Sequence, residues 1–138
     1  MDKKIGVAQS AIILRNDGRL LTMLRSKTAP SRPLHWDLPG GALKFGEDIT
    51  KGILREIREE TGLKVRGLKV LDVCSGTNYK KQFRVTICYV TKPVSERVKL
   101  SYEHVEFKWI KPKEFLKLRV SPTKKHFIKK FLSLLIRK

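Results

Sequence analysis

Three glutamates lie close together in the most acid-rich part of this chain: Glu56, Glu59 and Glu60. Their spacing of three and four residues would bring them together on one face of an α-helix. Three neighbouring carboxylates repel one another, and helix stability alone does not require them. Since Mg²⁺ and Mn²⁺ prefer carboxylate oxygens, one interpretation is a divalent-cation site. The other is a solvated helix face on which Arg55 and Arg58 balance the negative charge.

The residues around the glutamates predict a helix with clear ends. Asp48 is a suitable N-cap, because its side chain can accept from the free N–H groups of the first turn. Gly62 can adopt the left-handed conformation that ends a helix. Between these ends, apolar residues recur every three or four positions and predict one buried face, formed by Ile49, Ile53, Leu54 and Ile57.

Residues 41–63 as a whole resemble the signature of the Nudix hydrolases, G-x5-E-x7-R-E-U-x-E-E-x-G-U, in which U is a bulky aliphatic residue. Every fixed position is filled, by Gly41, Glu47, Arg55, Glu56, Ile57, Glu59, Glu60, Gly62 and Leu63. The resemblance implies an enzyme that hydrolyses a pyrophosphate bond in a nucleoside diphosphate derivative. It also implies bound Mg²⁺ or Mn²⁺, which would screen the phosphates and acidify the attacking water.

The same resemblance assigns roles to residues of the signature. Glu56, Glu59 and Glu60 match the metal-binding glutamates of the family, and the backbone carbonyl of Gly41 matches a further ligand. Glu56 and Glu59 are also expected to be catalytic, with Glu56 serving as a base in some members. Arg55 is expected to hold the neighbouring glutamates in place.

Other expected site residues lie outside the helix. The segment YEHVEFKWI resembles the E-H-x-E-F-x-W stretch of many Nudix hydrolases, which favours Glu103 over Glu106 as a further metal ligand or catalytic base. Without that resemblance, a solvated loop carboxylate would be the alternative interpretation of either acid. Glu47, Trp36 and Tyr79 are expected to lie at the substrate, and Tyr79 is placed roughly where dinucleoside-polyphosphate hydrolases have a tyrosine.

The substrate class is suggested by the start of the signature. Pro39, Gly40 and Gly41 form a sequence that resembles the nucleoside-triphosphate and ADP-sugar branches of the family. We therefore expect a (deoxy)nucleoside triphosphate pyrophosphatase that releases monophosphate and pyrophosphate. The alternatives are a hydrolase of ADP-ribose or dinucleoside polyphosphates and an RNA 5′-end pyrophosphohydrolase. An alternative of another class is a non-catalytic regulator that binds nucleotide or RNA on a Nudix scaffold.

Net charge and cysteine content bear on partners and compartment. The net charge of +18 favours polyanionic partners, namely a small nucleotide substrate or an RNA 5′ end, although solvated lysines alone would give the same charge. No apolar run is long enough to span a bilayer and no secretory signal is evident, so no membrane partner is expected. Cys74 and Cys88 fit buried free thiols, which favours the cytoplasm. For the oligomeric state, both a monomer and a homodimer are possible from the sequence.

The rest of the chain predicts the elements that position these residues. Strands are expected at residues 4–15, 19–25, 65–73, 82–91 and 105–110, and a short one at residues 36–38. The turn Asn16-Asp17-Gly18 predicts a hairpin between the first two strands. Polar loops are expected at residues 26–34, 75–81 and 92–102.

Two further helices complete the prediction. One begins at Pro112 and ends near residue 118. The other covers residues 123–137, and its expected buried face is formed by Phe127, Phe131, Leu134 and Leu135. Strands on either side of a central helix predict one α/β domain over residues 1–138. The family resemblance makes this fold a Nudix-type α/β/α sandwich, with a mixed central sheet, the signature as loop–helix–loop and a C-terminal helix.

Overall fold

The computed structural model describes residues 3–78 and 80–136. In chain order the elements are β1 (Ile5–Ile13), β2 (Leu20–Arg25), β3 (Trp36–Asp37), β4 (Gly40–Ala42), α1 (Ile49–Thr61), β5 (Val65–Thr77), β6 (Phe83–Pro93), β7 (His104–Ile110), α2 (Pro112–Phe115) and α3 (Pro122–Ile136). Tyr79, which was expected at the substrate, lies outside the described residues. None of the helices in the described ranges combines the length and apolar character needed to cross a bilayer.

The strands form two sheets. A four-stranded sheet has the order β4-β1-β6-β5, in which β1 and β6 run parallel and the other neighbours run antiparallel. A three-stranded antiparallel sheet has the order β3-β2-β7. The predicted mixed sheet is therefore confirmed as the four-stranded one.

The predicted hairpin between the first two strands is wrong beyond its turn. Between β1 and β2, the described residues keep the backbone bond from the Arg15 N–H to Arg19 and the bridge between Leu14 and Leu20, but no further ladder pairs. After it, β2 pairs with β7 in the second sheet. The reason is competition for the edges of β1: β6 pairs along one edge and β4 along the other.

The two faces of the four-stranded sheet carry different helices. Ile12 of β1 packs in a cluster with Phe127 of α3, while the adjacent Ile13 packs in a second cluster with Ile57 of α1. Successive side chains of a strand point to opposite faces, so the two helices cover opposite sides of the sheet. This arrangement confirms the α/β/α sandwich, and it explains why the end of β1 is a continuous apolar run.

Helix α1 begins and ends as predicted. The side chain of Asp48 accepts a hydrogen bond from the backbone N–H of Lys51 at 3.0 Å. Gly62 has a φ of 72° and ends the helix.

The buried face of α1 differs from the prediction. Ile53 and Ile57 are fully buried, whereas Ile49 and Leu54 are 44% and 40% exposed. The face continues instead through Glu60, which is only 7% exposed. The helix is therefore rotated so that one carboxylate faces the interior, and an apolar stripe alone does not report that rotation.

Other boundaries differ from the prediction in smaller ways. β5 extends through Thr77 into the predicted loop, and β4 was missed because a three-residue strand that begins with two glycines carries no strand pattern. In α3 the middle turns pack on the core through Phe127 and Phe131, while Leu134 and Leu135 are 39% and 46% exposed. The last turn of α3 therefore contributes little to the core.

The orientation of α1 can be tested by a pair of neighbouring substitutions. Ile53→Ala should lower the free energy of unfolding by about 2–5 kcal/mol, because it leaves a cavity in the core. Leu54→Ala should lower it by less than about 1 kcal/mol, since this side chain is partly in solvent. Urea unfolding of both variants measures the difference. Equal losses would contradict the observed rotation of the helix.

Candidate functional site

A cleft of about 590 Å³ lies where the two sheets meet. Strands β1, β5 and β6 form its floor, and β3 and the start of α3 form a wall. The signature closes one end. Side chains from all of these elements line the cleft, including Ser10, Arg25, Trp36, Asp37, Glu56, Glu60, Arg84, Thr86, Glu103 and Lys124. A cleft of this volume suits a small organic ligand.

The glycine pair brings strand β4 very close to its neighbours. Gly40 has a φ of 155°, and a Cβ atom there would lie 2.0 Å from the carbonyl oxygen of Gln9. A Cβ atom at Gly41 would lie 2.6 Å from the carboxyl carbon of Glu56. A side chain at position 40 would therefore push β4 away from β1, and one at position 41 would displace the Glu56 carboxylate. Because both positions are glycine, the backbone of β4 and the carboxylate of Glu56 can lie next to each other at one end of the cleft.

Glu60 is the most buried of the three signature glutamates. Its Oε1 accepts a hydrogen bond from the backbone N–H of Gly40 at 2.7 Å. Burial raises the pKa of Glu60 to about 8; the Gly40 hydrogen bond opposes this, while the nearby charges of Asp37, Glu56 and Glu103 add to it. In the absence of a cation, this carboxyl group therefore holds a proton at neutral pH.

Arg55 ties the other acidic groups together. Its guanidinium donates to both carboxylate oxygens of Glu47, at 2.7 and 3.0 Å, and contacts Glu56 at 3.0 Å and Glu59 at 3.2 Å. The Arg55 hydrogen bond lowers the pKa of Glu47 to about 2. Burial raises the pKa of Glu56, although the Arg55 charge opposes this. These contacts agree with a positioning role for Arg55, which stays a prediction.

The predicted site residues are only partly gathered in the cleft. Glu103 and Trp36 line it together with Glu56 and Glu60, and a Lys108 ammonium lies 4.7 Å from the centre of the Trp36 ring. Glu59 has a side chain that is 57% exposed and is not among the cleft-lining residues described.

Two further acids lie away from the cleft: Glu47, which was predicted at the edge of the site, and Glu106, over which Glu103 was favoured. Glu47 is engaged by Arg55 as described above, and it does not contribute to the cleft lining in the described ranges. Glu106 is on β7, paired with Leu24, and is likewise absent from that lining. The assigned roles of all these residues stay predictions.

The donor set fits a hard divalent cation after side-chain movement. Among the described residues, no three Asp, Glu, His or Cys side chains converge closely enough to form a ready cation cage. Arg55 forms ion pairs with Glu56 and Glu59, and the backbone N–H of Gly40 donates a hydrogen bond to Glu60. Even so, Glu56, Glu60 and Glu103 line one cleft. Burial, together with the charge of neighbouring acids, raises the pKa of Glu56 and of Glu60, so an oxygen-binding cation would relieve the repulsion and displace a proton from Glu60.

Sequence reasoning missed Gln9, which is 2% exposed in the middle of β1. Its amide nitrogen donates to the carbonyl of Ile49 at 2.8 Å and to the hydroxyl of Tyr89 at 2.7 Å. These bonds fix the start of α1 against the sheet. A glutamine in a strand that is mostly apolar was the available signal.

Sequence reasoning also missed an ion-pair cluster in the cleft wall. The carboxylate of Asp37 lies 3.3 Å from Arg25 and 3.2 Å from Lys124. Burial raises the pKa of Asp37, but these two cations and the backbone N–H of Leu38 outweigh it and the pKa is lowered. The three charged residues are distant in the sequence, and no local pattern connects them.

Comparison with known proteins places this site in a family. The model of the NUDIX domain matches residues 4–131. The chain belongs to the Nudix hydrolase family. Hydrolases of this family generally use divalent metal ions. The match confirms the resemblance seen in residues 41–63, and that residues 1–138 work as one domain stays a prediction.

Relatives of known name agree with this assignment. A MutT-like protein of Streptomyces ambofaciens is 33% identical over 110 residues, which cover 78% of this chain and 65% of that protein. This chain thus spans less than two thirds of that relative. The nucleoside triphosphatase NudI of Escherichia coli is 24% identical over 114 residues, or 75% of this chain and 81% of NudI.

A solved structure supports the fold. The MutT protein from Methanosarcina mazei Go1 superimposes with a TM-score of 0.84 at 26% identity, and the match covers 95% of each chain. The predicted Nudix-type sandwich is therefore confirmed.

The raised pKa of Glu60 predicts a pH effect on stability. Between pH 4.5 and 8 the folded, metal-free protein retains a proton that the unfolded chain has lost, so this group lowers stability as the pH rises. Glu60→Gln removes the effect. In EDTA, the free energy of unfolding of Glu60→Gln relative to the native protein should increase from pH 5 to pH 8, by more than about 1.4 kcal/mol. Glu59→Gln is the control and should follow the native protein.

The close approach at Gly41 predicts weaker cation binding when a methyl group is added. Gly41→Ala should displace the Glu56 carboxylate and weaken Mn²⁺ binding by about tenfold or more, as measured by calorimetry. Gly76→Ala is a matched control, because Gly76 lines the same cleft and a Cβ atom there meets nothing within 4 Å. Equal Mn²⁺ affinities of the two variants would contradict the contribution of Gly41 to the metal site.

Proposed function

We propose that this protein hydrolyses a pyrophosphate bond of a nucleoside triphosphate or deoxynucleoside triphosphate, giving monophosphate and pyrophosphate. The observation that carries the proposal is the end of the cleft where buried Glu60 lies with Glu56 and Glu103 against the glycine pair. A cluster of carboxylates, in which burial raises the pKa of Glu60 and of Glu56, in a strongly basic chain is suited to bind a divalent cation together with a polyphosphate.

The proposed metal ligands are Glu56, Glu59, Glu60, Glu103 and the carbonyl of Gly41, and the proposed cation is Mg²⁺ or Mn²⁺. When bound, the cation would neutralise phosphate charge and lower the pKa of a water molecule. Arg55 would hold Glu47, Glu56 and Glu59 in place through the contacts described above. To join the others, the Glu59 side chain would have to leave its contact with Arg55 and turn towards the cleft.

The proton of the attacking water would be accepted by a carboxylate oxygen of Glu56 or Glu103. Burial gives Glu56 a raised pKa, which makes it a better base than a fully solvated glutamate. Glu103 is exposed at the mouth of the cleft and can exchange that proton with solvent. Trp36 and Tyr79 are proposed to contact the substrate, and Glu47 to lie at the edge of the site.

Two observations support a triphosphate substrate. The relatives include a protein named nucleoside triphosphatase, and the cleft has the volume of a small-ligand site. Arg84 and Lys124 add positive charge to its lining. Free thiols at Cys74 and Cys88, the latter with a pKa raised to about 12 by burial, support a cytoplasmic location.

A second candidate substrate is the 5′-triphosphate end of RNA. The net charge of +18 favours it, because a basic surface attracts the phosphates that follow the reacting end. On this alternative, turnover of RNA would fall steeply as salt rises, whereas turnover of a free nucleotide would fall much less. A regulator that binds without catalysis would show binding and no turnover.

The proposal is tested by a substrate panel with Mg²⁺ or Mn²⁺ and identification of the products. The panel contains all nucleoside and deoxynucleoside triphosphates, oxidised dGTP, ADP-ribose, dinucleoside polyphosphates and 5′-triphosphate RNA. We expect monophosphate and pyrophosphate from one or more triphosphates. Activity confined to ADP-ribose or to a dinucleoside polyphosphate would refute the triphosphate substrate.

Variants test the metal site within the same assay. Glu60→Gln and Glu59→Gln should each lower kcat at least about a hundredfold, since each removes a charged ligand. Glu106→Gln is the matched control, because this acid lies on β7 away from the cleft. Unchanged turnover in folded Glu60→Gln would refute the metal-site assignment.

A further inference from the structure

Asp37 is shared by two cations in the cleft wall, and the two are held differently. Arg25 is fixed by the loop after β2: its Nε donates to the carbonyl of Ser31 at 2.9 Å, and its Nη1 lies 3.3 Å from Asp37 Oδ2. Lys124 lies on the first turn of α3, and its Nζ lies 3.2 Å from Asp37 Oδ1. Arg25 therefore orders the wall, while the Lys124 ammonium is attached at a single carboxylate oxygen.

The Lys124 ammonium is suited to bind an anion. It has three N–H donors, and Asp37 is its one ion-pair partner among the described residues. Its side chain is 21% exposed and lines the cleft. Because Arg25 already balances the Asp37 charge, the ammonium can share its charge with a second anion without leaving Asp37 unpaired.

The position of Asp37 locates this ammonium along the cleft. Asp37 is three residues before Gly40, whose N–H binds Glu60, and Asp37 lines the same cleft as Gly40, Glu56 and Glu60. Lys124 therefore lies beside the carboxylates at the signature end. Part of the substrate that reaches this end is the polyphosphate.

Arg84 is placed differently, although it lines the same cleft. It pairs with Gly6 on β1, whereas Gly40 of the signature pairs with Ser10. Four residues along a strand correspond to about 13 Å. Arg84 thus belongs to the opposite end of the floor, away from the carboxylates.

We propose that Lys124 binds the phosphate chain of the substrate beside the metal-binding carboxylates, and that Asp37 is the positioning residue that keeps Lys124 there. This inference rests on the proposed function and extends it to a protein cation outside the signature. The ammonium would donate to a non-bridging phosphate oxygen. It would also balance negative charge that grows on the leaving phosphate as the bond breaks.

The first test compares two neighbouring lysines of α3. Lys124→Met should raise KM for every accepted triphosphate about tenfold or more, because a charge-assisted hydrogen bond to phosphate is lost. Lys125→Met makes the same change in charge on the same turn without touching the cleft lining, and its KM should stay within twofold of the native value. Lys124→Arg should recover most of the loss, because it restores a cation.

The second test measures binding directly, with inorganic pyrophosphate and Mg²⁺ in a calorimeter. Lys124→Met should weaken pyrophosphate binding about tenfold, and Asp37→Asn should weaken it by a smaller factor. The double variant should bind no more weakly than Lys124→Met alone, because Asp37 acts through Lys124. Additive losses would overturn the positioning role of Asp37.

Two outcomes would overturn the assignment of Lys124 itself. One is an unchanged KM and pyrophosphate affinity in folded Lys124→Met. The other is a KM increase confined to one nucleobase with unchanged pyrophosphate binding, which would place Lys124 at the base. In both cases an active native enzyme leaves the proposed function standing, whereas a native chain that turns over none of the panel refutes that function.

Discussion

The hydrogen bond from the Gly40 N–H to the Glu60 carboxylate is the contact on which the arrangement of the cleft depends. It joins strand β4 to helix α1 at 2.7 Å and sets one carboxylate in the protein interior. Burying a carboxyl group is costly unless it is protonated, hydrogen-bonded or paired with a cation. Without metal, Glu60 is stabilised by a bound proton and by the Gly40 hydrogen bond, and a divalent cation would take the place of the proton.

That contact also explains why glycines precede the helix. The backbone of β4 passes between β1 and the glutamate, with no room for a Cβ atom at either Gly40 or Gly41. On the other side, Arg55 fixes the more exposed carboxylates. The signature thus holds its glutamates in two ways. A backbone N–H binds Glu60, and the guanidinium of Arg55 binds Glu56 and Glu59.

The signature helix, most strands and the family were predictable from the sequence, because caps, alternation and fixed spacing are local signals. The rotation of α1 was not, since Leu54 and Ile53 look equally apolar and only tertiary packing separates them. β4 was missed because glycines carry no strand propensity. The hairpin prediction was wrong because β6, far along the chain, pairs with one edge of β1 and β4 pairs with the other.

The candidate site divides in the same way. Glu56, Glu60 and Glu103 came from motifs and lie in one cleft, as the spacing and the family resemblance indicated. Glu59 and Glu47 came from the same motif and lie outside it in this structure. Asp37, Arg25 and Lys124 form their cluster through tertiary contacts between three separate segments, and Gln9 is fixed by partners on α1 and β6. Tertiary contacts of this kind produce no periodic pattern in the sequence, so they could not be predicted from it.

The parallel pairing of β1 with β6 has a consequence for folding kinetics. Ile5 pairs with Phe83 and Ile13 with Thr91, so the floor of the cleft joins segments from the first and second halves of the chain. Contacts of such long sequence separation form slowly, because a large loop must close before they contribute. On the ribosome, helix α1 would emerge long before β6. The carboxylates would therefore lie on a solvated helix at first, and the cleft would form only after β6 and α3 have been synthesised.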